Sequence, residues 1–231
     1  MQNPKTVLIA GENRYDIRAF FRKEGRAKYI SHLDLYRTMQ RAFNRSKLPV
    51  WFTDGFNPKI YLNFAMPISL GFEGREEAFD FRLNYDMDEQ VIIDTLNGVM
   101  PEGIVITRVQ SPVKKVKDIA KSIYSLKIAA PGVDDEALSS KLREYFAQEQ
   151  IITEKRTKKG MKELDIRPMI GDVSFLGESP VTLRLSLPSG VSENLNPTLV
   201  LDTFAKQYGI SLDYLNICRE KILCEDGTEF Y

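Results

Sequence analysis

The sequence predicts an α+β protein of two tandem units, each of order β-α-β-β-α-β with an antiparallel sheet. Three observations predict it. Hydrophobic alternation of period two recurs in short segments along the chain, and apolar stripes of helical period lie between them. The same order of elements also appears on both sides of a joint at residues 111–117, which is rich in lysine and contains a proline.

Residues 14–22 alternate, with Tyr15, Ile17, Ala19 and Phe21 on one face and Arg14, Asp16, Arg18, Phe20 and Arg22 on the other, as in a half-buried strand. Ser31 followed by Asp34 fits a helix N-cap with an acidic residue at the third helical position. Leu35, Met39, Ala42 and Phe43 then form an apolar stripe down to about Ser46. Residues 50–52 are β-rich, and Asp54-Gly55 with Asn57-Pro58 marks a turn. Residues 78–83 alternate again, Val91, Ile92, Thr95 and Leu96 make a short helix, and residues 103–109 form a last strand.

The second half starts with a strand at 122–130 and a helix at 134–148, whose Leu138, Leu142, Tyr145 and Phe146 share one side. Strands follow at 151–153, 163–170 and 181–187. Asn196-Pro197 opens a helix well, because proline at the first helical position loses no hydrogen bond. Leu199, Val200, Phe204 and Tyr208 line its buried face, and a strand at 214–224 closes the half. These are two split-βαβ, ferredoxin-like units, expected at 13–112 and 118–231 after a loose tail at 1–12. Right-handed crossovers place the helices on one face of each sheet. The other face is left for the other half, a partner protein or nucleic acid.

Composition narrows the function classes. With 43% hydrophobic and 28% charged residues, the chain has the makings of an ordinary soluble core. No apolar run approaches the roughly 18 residues of a membrane span, and the patch Val7-Leu8-Ile9-Ala10 is too short for a signal-peptide core. The expected setting is therefore cytoplasmic, without membrane contact. Cys218 and Cys224, six apart in a strand, match neither a zinc knuckle nor a redox pair, so they read as buried structural thiols. Neither a metal nor a cofactor is expected, and the chain by itself is not a radical enzyme of the three-cysteine type. Net charge is zero but unevenly placed: residues 1–60 hold 12 Lys and Arg against 5 Asp and Glu. A polyanion-facing first half, or a contact between oppositely charged halves, fits this count.

The stretch Tyr29-Ile30-Ser31-His32-Leu33-Asp34-Leu35 holds the only histidine, in the first turn of the first helix. The helix dipole there favours a neutral imidazole, which is available as a base. With Lys28 and Tyr29 nearby, His32 could cleave RNA without metal, but one histidine without a defined partner is weak evidence, and packing or hydrogen bonding at a strand–helix junction is the plainer reading. Arg37, Arg41 and Arg45 recur every four residues as a basic ridge, suited to a phosphate backbone or simply a solvated face. Arg18, Phe20 and Arg22 add a surface on which bases could stack, unless Asp80 and Arg82 of a neighbouring strand pair with these arginines. The turn holding Asn57 and Lys59 can offer backbone N–H groups to an anion, and Gly71 to Arg75 is a second flexible point. Lys155-Arg156-Thr157-Lys158-Lys159-Gly160, with Lys162, reads as a basic hairpin tip. No paired carboxylates, HExxH or GxSxG stand out.

The residues from Arg18 to Lys23, Gly25, the Tyr29–Leu35 stretch, Arg37, Arg41-Ala42, Leu48-Pro49, Gly55-Phe56-Asn57-Pro58, Phe64-Ala65 and Pro67 through Leu70-Gly71 together resemble the radical-SAM-linked protein family. That family is a domain of unknown function found fused to, or encoded beside, radical SAM proteins. Asp165-Ile166-Arg167-Pro168, Asn196-Pro197 and Arg219 resemble its second half more loosely. Its pattern usually continues with proline or histidine-proline after Asn-Pro, where Lys59-Ile60 stands here. The resemblance implies a companion of a radical SAM enzyme on a separate chain, in a setting of RNA and translation. A second likeness is to the CRISPR-repeat-processing endoribonucleases of the RAMP superfamily. It rests on element order and the placement of His32, without the glycine-rich loop they typically carry near the C-terminus.

Three functions are thus expected in order: a non-catalytic accessory module presenting structured RNA to a radical SAM partner, a metal-independent ribonuclease using His32, and a protein–protein adaptor. The RNA-contacting residues of the first would be Arg18, Phe20, Arg22, Lys28, Arg37, Arg41, Arg45, Asn57 and Lys59.

Overall fold

A computed structural model describes residues 14–157, 160–190 and 193–231. The expected tail at 1–12, and Lys158 and Lys159 of the basic hairpin tip, lie outside the described residues. The chain is α+β, with a large, mostly antiparallel sheet and four α-helices among the described residues. No helix among them is long and apolar enough to cross a membrane. Two compact units divide the chain. The first takes the described residues up to Gly71, Glu77–Lys114 and Tyr231; the second takes Phe72–Glu76 and Lys115–Phe230.

The first unit contains β1 (Tyr15–Lys23), α1 (His32–Ser46), β2 (Leu62–Phe64), most of β3 (Glu73–Leu83), α2 (Glu89–Asn97) and β4 (Ile104–Gln110). Its strands lie in the order β4-β1-β3-β2. Helix α1 forms where its stripe falls: Leu35, Met39, Ala42 and Phe43 are its buried residues, and Ser31 caps it by accepting from the Asp34 N–H. The stripe lands on an aromatic core. Phe43 meets Phe79 and Phe81 with centroids 6.0 and 4.9 Å away, and Phe79 meets Phe21 and Phe64, both at 5.6 Å. Each fully buried phenyl ring contributes roughly 1.5–3 kcal/mol. Because Phe21 of β1 and Phe79 of β3 look toward α1, the intervening residues Arg18, Phe20, Arg22, Asp80 and Arg82 belong to the opposite sheet face.

The second unit contains β5 (Ile119–Ala129), α3 (Asp135–Ala147), β6 (Ile152–Thr157), β7 (Gly160–Asp165), β8 (Val173–Glu178), β9 (Val181–Pro188), α4 (Pro197–Tyr208) and β10 (Asp213–Cys224). Its strands run β10-β5-β9-β8, while β6 and β7 form a separate two-stranded ribbon. The first residues of β3 pair in parallel with β10, Glu73 opposite Cys218. Asn196 caps α4 as its sequence suggests, accepting from the Thr198 N–H with Pro197 in the first turn. Tyr145 of α3 reaches α4 by donating its hydroxyl to the Val200 carbonyl at 2.9 Å. Both cysteines are buried, and they form no disulfide.

Three elements differ from expectation. The strand expected at 50–52 consists only of single bridges, Val50 to Leu83 and Phe52 to Ile60; the strand beside β3 is β2, twelve residues later. Pro49 lacks a donor, and the Asp54–Pro58 turn interrupts the ladder. The strand expected at 163–170 stops at Asp165, whose carboxylate accepts from the N–H groups of Ile151 and Arg167 and bends the chain into a 3-10 turn, Arg167–Met169. The sequence reading also missed β8. It pairs with β9 alone at the end of the strand order and buries none of its residues fully, so its apolar signal is weak.

Candidate nucleic-acid interface

Ser31 does more than cap α1. Its hydroxyl donates to an Asp34 carboxylate oxygen at 2.7 Å and accepts from the Asp34 N–H at 3.2 Å. Asp34 also receives the Arg37 guanidinium at 3.2 Å. The Ser31 hydroxyl first, and Arg37 second, hold the Asp34 carboxyl below the ordinary carboxylate range. Ser31→Ala should cost about 1 kcal/mol of stability and raise the Asp34 pKa toward its usual value, read by denaturant unfolding and by NMR titration of the carboxyl.

His32 follows the cap and is half-buried. Its ring stands edge-on to Phe64, with centroids 5.2 Å apart at 78°. Lys28 precedes it; the Lys28 carbonyl accepts from buried Lys23 Nζ at 3.1 Å and from the Gly71 N–H at 2.8 Å. Lys28 Nζ lies 5.4 Å from the Tyr29 ring centre. These bonds fix the N-terminal end of α1 beside the end of β1 and beside Gly71.

Arg37, Arg41 and Arg45 are all exposed on α1. Successive members stand roughly 6 Å apart along the axis, since four residues rise about that far. Arg37 is held by Asp34 and Arg45 donates to the Val99 carbonyl at 2.8 Å, so both ends of the ridge are tethered.

The other sites expected from sequence lie elsewhere. Arg18 is buried, at 1% exposure. It donates from two nitrogens to both Asp80 oxygens, at 2.7 and 3.0 Å, and from the third to the backbone oxygens of Lys114 and Tyr231, at 2.8 and 3.3 Å. Phe20, 2% exposed, lies under the Arg108 guanidinium at 4.0 Å. Neither side chain can meet a polyanion from solvent, so the expectation for this pair is corrected: both are buried. Arg22 is exposed, but on the face away from α1.

Asn57 and Lys59 are exposed in a loop rooted at the opposite end of the strands from His32. There the Trp51 N–H donates to the Arg82 carbonyl at 2.9 Å, and Arg14, just before β1, lies 4.5 Å over the Trp51 ring. The nine residues of β1 span roughly 25 Å, and they separate the His32 end from the Asn57–Lys59 end. Residues close in the motif are thus far apart in the fold, and Arg37, Arg41 and Arg45 run between the two ends.

Two features escaped the sequence reading. One is the stack in which Arg82 covers Tyr61 at 4.2 Å and Trp51 at 5.4 Å. The single tryptophan in the arginine-rich part of the chain was its available signal. The other is a groove of about 520 Å³ in the second unit, between the β6–β7 ribbon and α4, with Ile152, Leu199, Glu154, Glu163 and Asp202 in its walls. Glu154 and Glu163 face each other directly across the ribbon, and Lys206 neutralises Glu154 at 2.8 Å. A charge pairing that depends on strand register has no signature in composition.

The fold and this surface define an α+β protein with a basic helix and an arginine–aromatic loop. The chain belongs to the family described as "Uncharacterized protein conserved in bacteria (DUF2344)", whose model matches residues 16–197. A search of curated proteins finds no match. Among solved structures, an unknown protein from Galdieria sulphuraria is similar over 87% of this chain and 97% of its own, at 12% identity and a TM-score of 0.26. The crystal structure of a "putative glycine cleavage system transcriptional repressor" aligns over 89% of this chain and 98% of its own, at 11% identity and a TM-score of 0.23.

Proposed function

We propose that this chain is a non-catalytic, cytoplasmic accessory module that binds RNA and presents it to a radical SAM enzyme on a separate chain. The observation that carries the RNA part is the ridge of α1, where three exposed guanidiniums stand in one line. Such a line suits a phosphate backbone and carries no base readout of its own. The radical SAM partner is supported by the motif residues around Ser31-His32 and Gly55-Phe56-Asn57-Pro58. Two cysteines that form no disulfide suit a reducing compartment. We also propose that each unit is ferredoxin-like: the strand orders β4-β1-β3-β2 and β10-β5-β9-β8 support a tandem arrangement, with the β6–β7 ribbon inserted in the second.

Binding of labelled structured RNA, followed by anisotropy over a salt series, tests the reading. The wild type should lose affinity steeply with salt. The Arg37/Arg41/Arg45→Ala variant should bind more weakly at every salt concentration, with a log–log slope shallower by roughly two to three. Equal affinity and slope in both proteins, or no binding with or without the partner, sinks it.

A protein–protein adaptor is the second reading, favoured by the exposure of Tyr29, Leu33 and Leu70. It requires a stable complex without RNA that a ridge variant such as Arg41→Glu leaves intact. The ribonuclease reading draws on His32 alone, and the packing of that ring on Phe64 gives it a structural task. Intact RNA after long incubation with the protein removes that reading.

A further inference from the structure

The loop from Trp51 to Ile60 is rooted firmly and ends in an apolar side chain that the protein leaves uncovered. At its neck, the Thr53 N–H donates to the Lys59 carbonyl at 2.8 Å, the Lys59 N–H to Thr53 Oγ1 at 3.1 Å, and Phe52 bridges Ile60. Below the neck lies the chain's only tryptophan, 6% exposed, with its Nε1–H enclosed and without an acceptor among the described residues. Arg14 and Arg82 lie over that ring, and Arg82 also covers Tyr61. Gly55, at a φ of +118°, turns the tip in a conformation that other residues rarely adopt. The next residue, Phe56, is fully exposed.

The charges decide what such a tip fits. Arg82 is held by Asp16 at 2.5 Å, and Arg14 more loosely by Asp54 at 3.8 Å, both arginines remaining partly exposed. Lys59 is exposed on the same loop, so cations outnumber anions here by three to two. Arg14, held by Asp54 only at 3.8 Å, can turn N–H groups to an anion while staying over the Trp51 ring, and a bare phenyl ring offers a stacking surface to any base. A purely apolar protein pocket would accept Phe56 but would gain nothing from the arginines and lysine around it.

We infer that the Trp51–Ile60 loop is a base-stacking contact for single-stranded RNA, with Phe56 stacking on a base and Lys59 and Arg14 beside the adjoining phosphates. The inference rests on the RNA reading above and adds to it a single-stranded segment, gripped at the end of the strands away from His32. Trp51 supplies the reporter.

The test is titration of the full chain with a short single-stranded oligoadenylate containing 2-aminopurine, following Trp51 emission, 2-aminopurine quenching and anisotropy together. Wild type should give saturable changes in all three signals. Phe56→Ala, which removes an exposed ring and leaves the core untouched, should weaken binding roughly 5- to 100-fold. Lys59→Ala should reduce the log–log salt slope by about 0.7. If wild type and Phe56→Ala bind equally while the ridge variant loses affinity, the loop contact is overturned and the RNA reading stands. If wild type binds neither the oligoadenylate nor structured RNA, both fall. If a nuclease-treated lysate yields a protein that wild type captures and Phe56→Ala does not, with no 2-aminopurine quenching, the loop is a protein contact and the inference is overturned.

Discussion

Arg18→Ala should destabilise the first unit by about 3–5 kcal/mol, the usual cost of removing one partner from a buried ion pair. The guanidinium does three things at once. It forks onto both Asp80 oxygens, donates to the Lys114 backbone oxygen, and donates to that of Tyr231. Alanine strands the Asp80 carboxylate, whose side chain is only 17% exposed, and takes a donor from the Lys114 carbonyl, while the Tyr231 oxygen keeps the Lys114 N–H at 2.9 Å. Arg18→Lys keeps the charge but loses the planar fork, so it should recover only part of the loss. The double change Arg18→Met with Asp80→Leu removes both charges together and should return most of the stability, as replacing a buried pair by apolar groups often does. Urea unfolding of the four proteins measures this. Arg22→Ala, an exposed neighbour on the same sheet face, should stay within about 0.5 kcal/mol of wild type. If Arg18→Ala were equally mild, the buried network would have no structural weight. RNA affinity separates structure from contact: the stable double variant should bind as wild type does.

That arginine marks where the sequence stops being legible. Alternation along residues 14–22 assigns Arg18 and Phe20 to the face away from the core, and the fold agrees about the face. What engages Arg18 there comes from residues 62, 96 and 213 positions away, which no local period can report. Helix α1 is the opposite case. Its stripe, its cap and its last residue all follow from spacings within one segment, and each local preference points the same way. Asn196-Pro197 opens α4 for the same reason. Strand β2 has three residues and β8 buries none fully, so neither offers enough alternation to stand out.

The candidate site was legible in its residues and not in its layout. His32 and Asn57 belong to one sequence motif, but β1 and β3 carry them to opposite ends of the first unit. The ridge survives this separation because it lies within a single helix. The stack of Arg82 on Tyr61 and Trp51 needed the fold to be seen, since the arginine comes from β3 and the rings flank the loop before it.

Gly103→Ala is the second large effect, and it acts on the end of the molecule that holds His32. Gly103 sits at φ +83°, where a Cβ would come 2.4 Å from the Glu24 carbonyl oxygen and 2.9 Å from the Ala27 Cβ. The Gly103 carbonyl also accepts the Glu24 N–H at 2.8 Å, so the two backbones are already locked together. The left-handed conformation alone costs an alanine roughly 1–2 kcal/mol. The collision adds about 1–3 kcal/mol of overpacking, because its first obstacle is backbone and cannot swing away. Gly209→Ala is the matched control. It lies at φ +63° at the end of α4 with nothing within 4 Å of an added Cβ, so it should show the conformational cost by itself. Relief of the collision means pushing away the turn Gly25–Tyr29, and with it Lys28 and the start of α1. Gly103→Ala should therefore lower the unfolding midpoint well beyond Gly209→Ala, and amide exchange should rise at residues 24–34 while the aromatic core stays protected. Equal losses in the two variants would mean that the backbone yields at 103 without cost, and that the contact between Gly103 and Glu24 does not hold the N-terminal end of α1 in place.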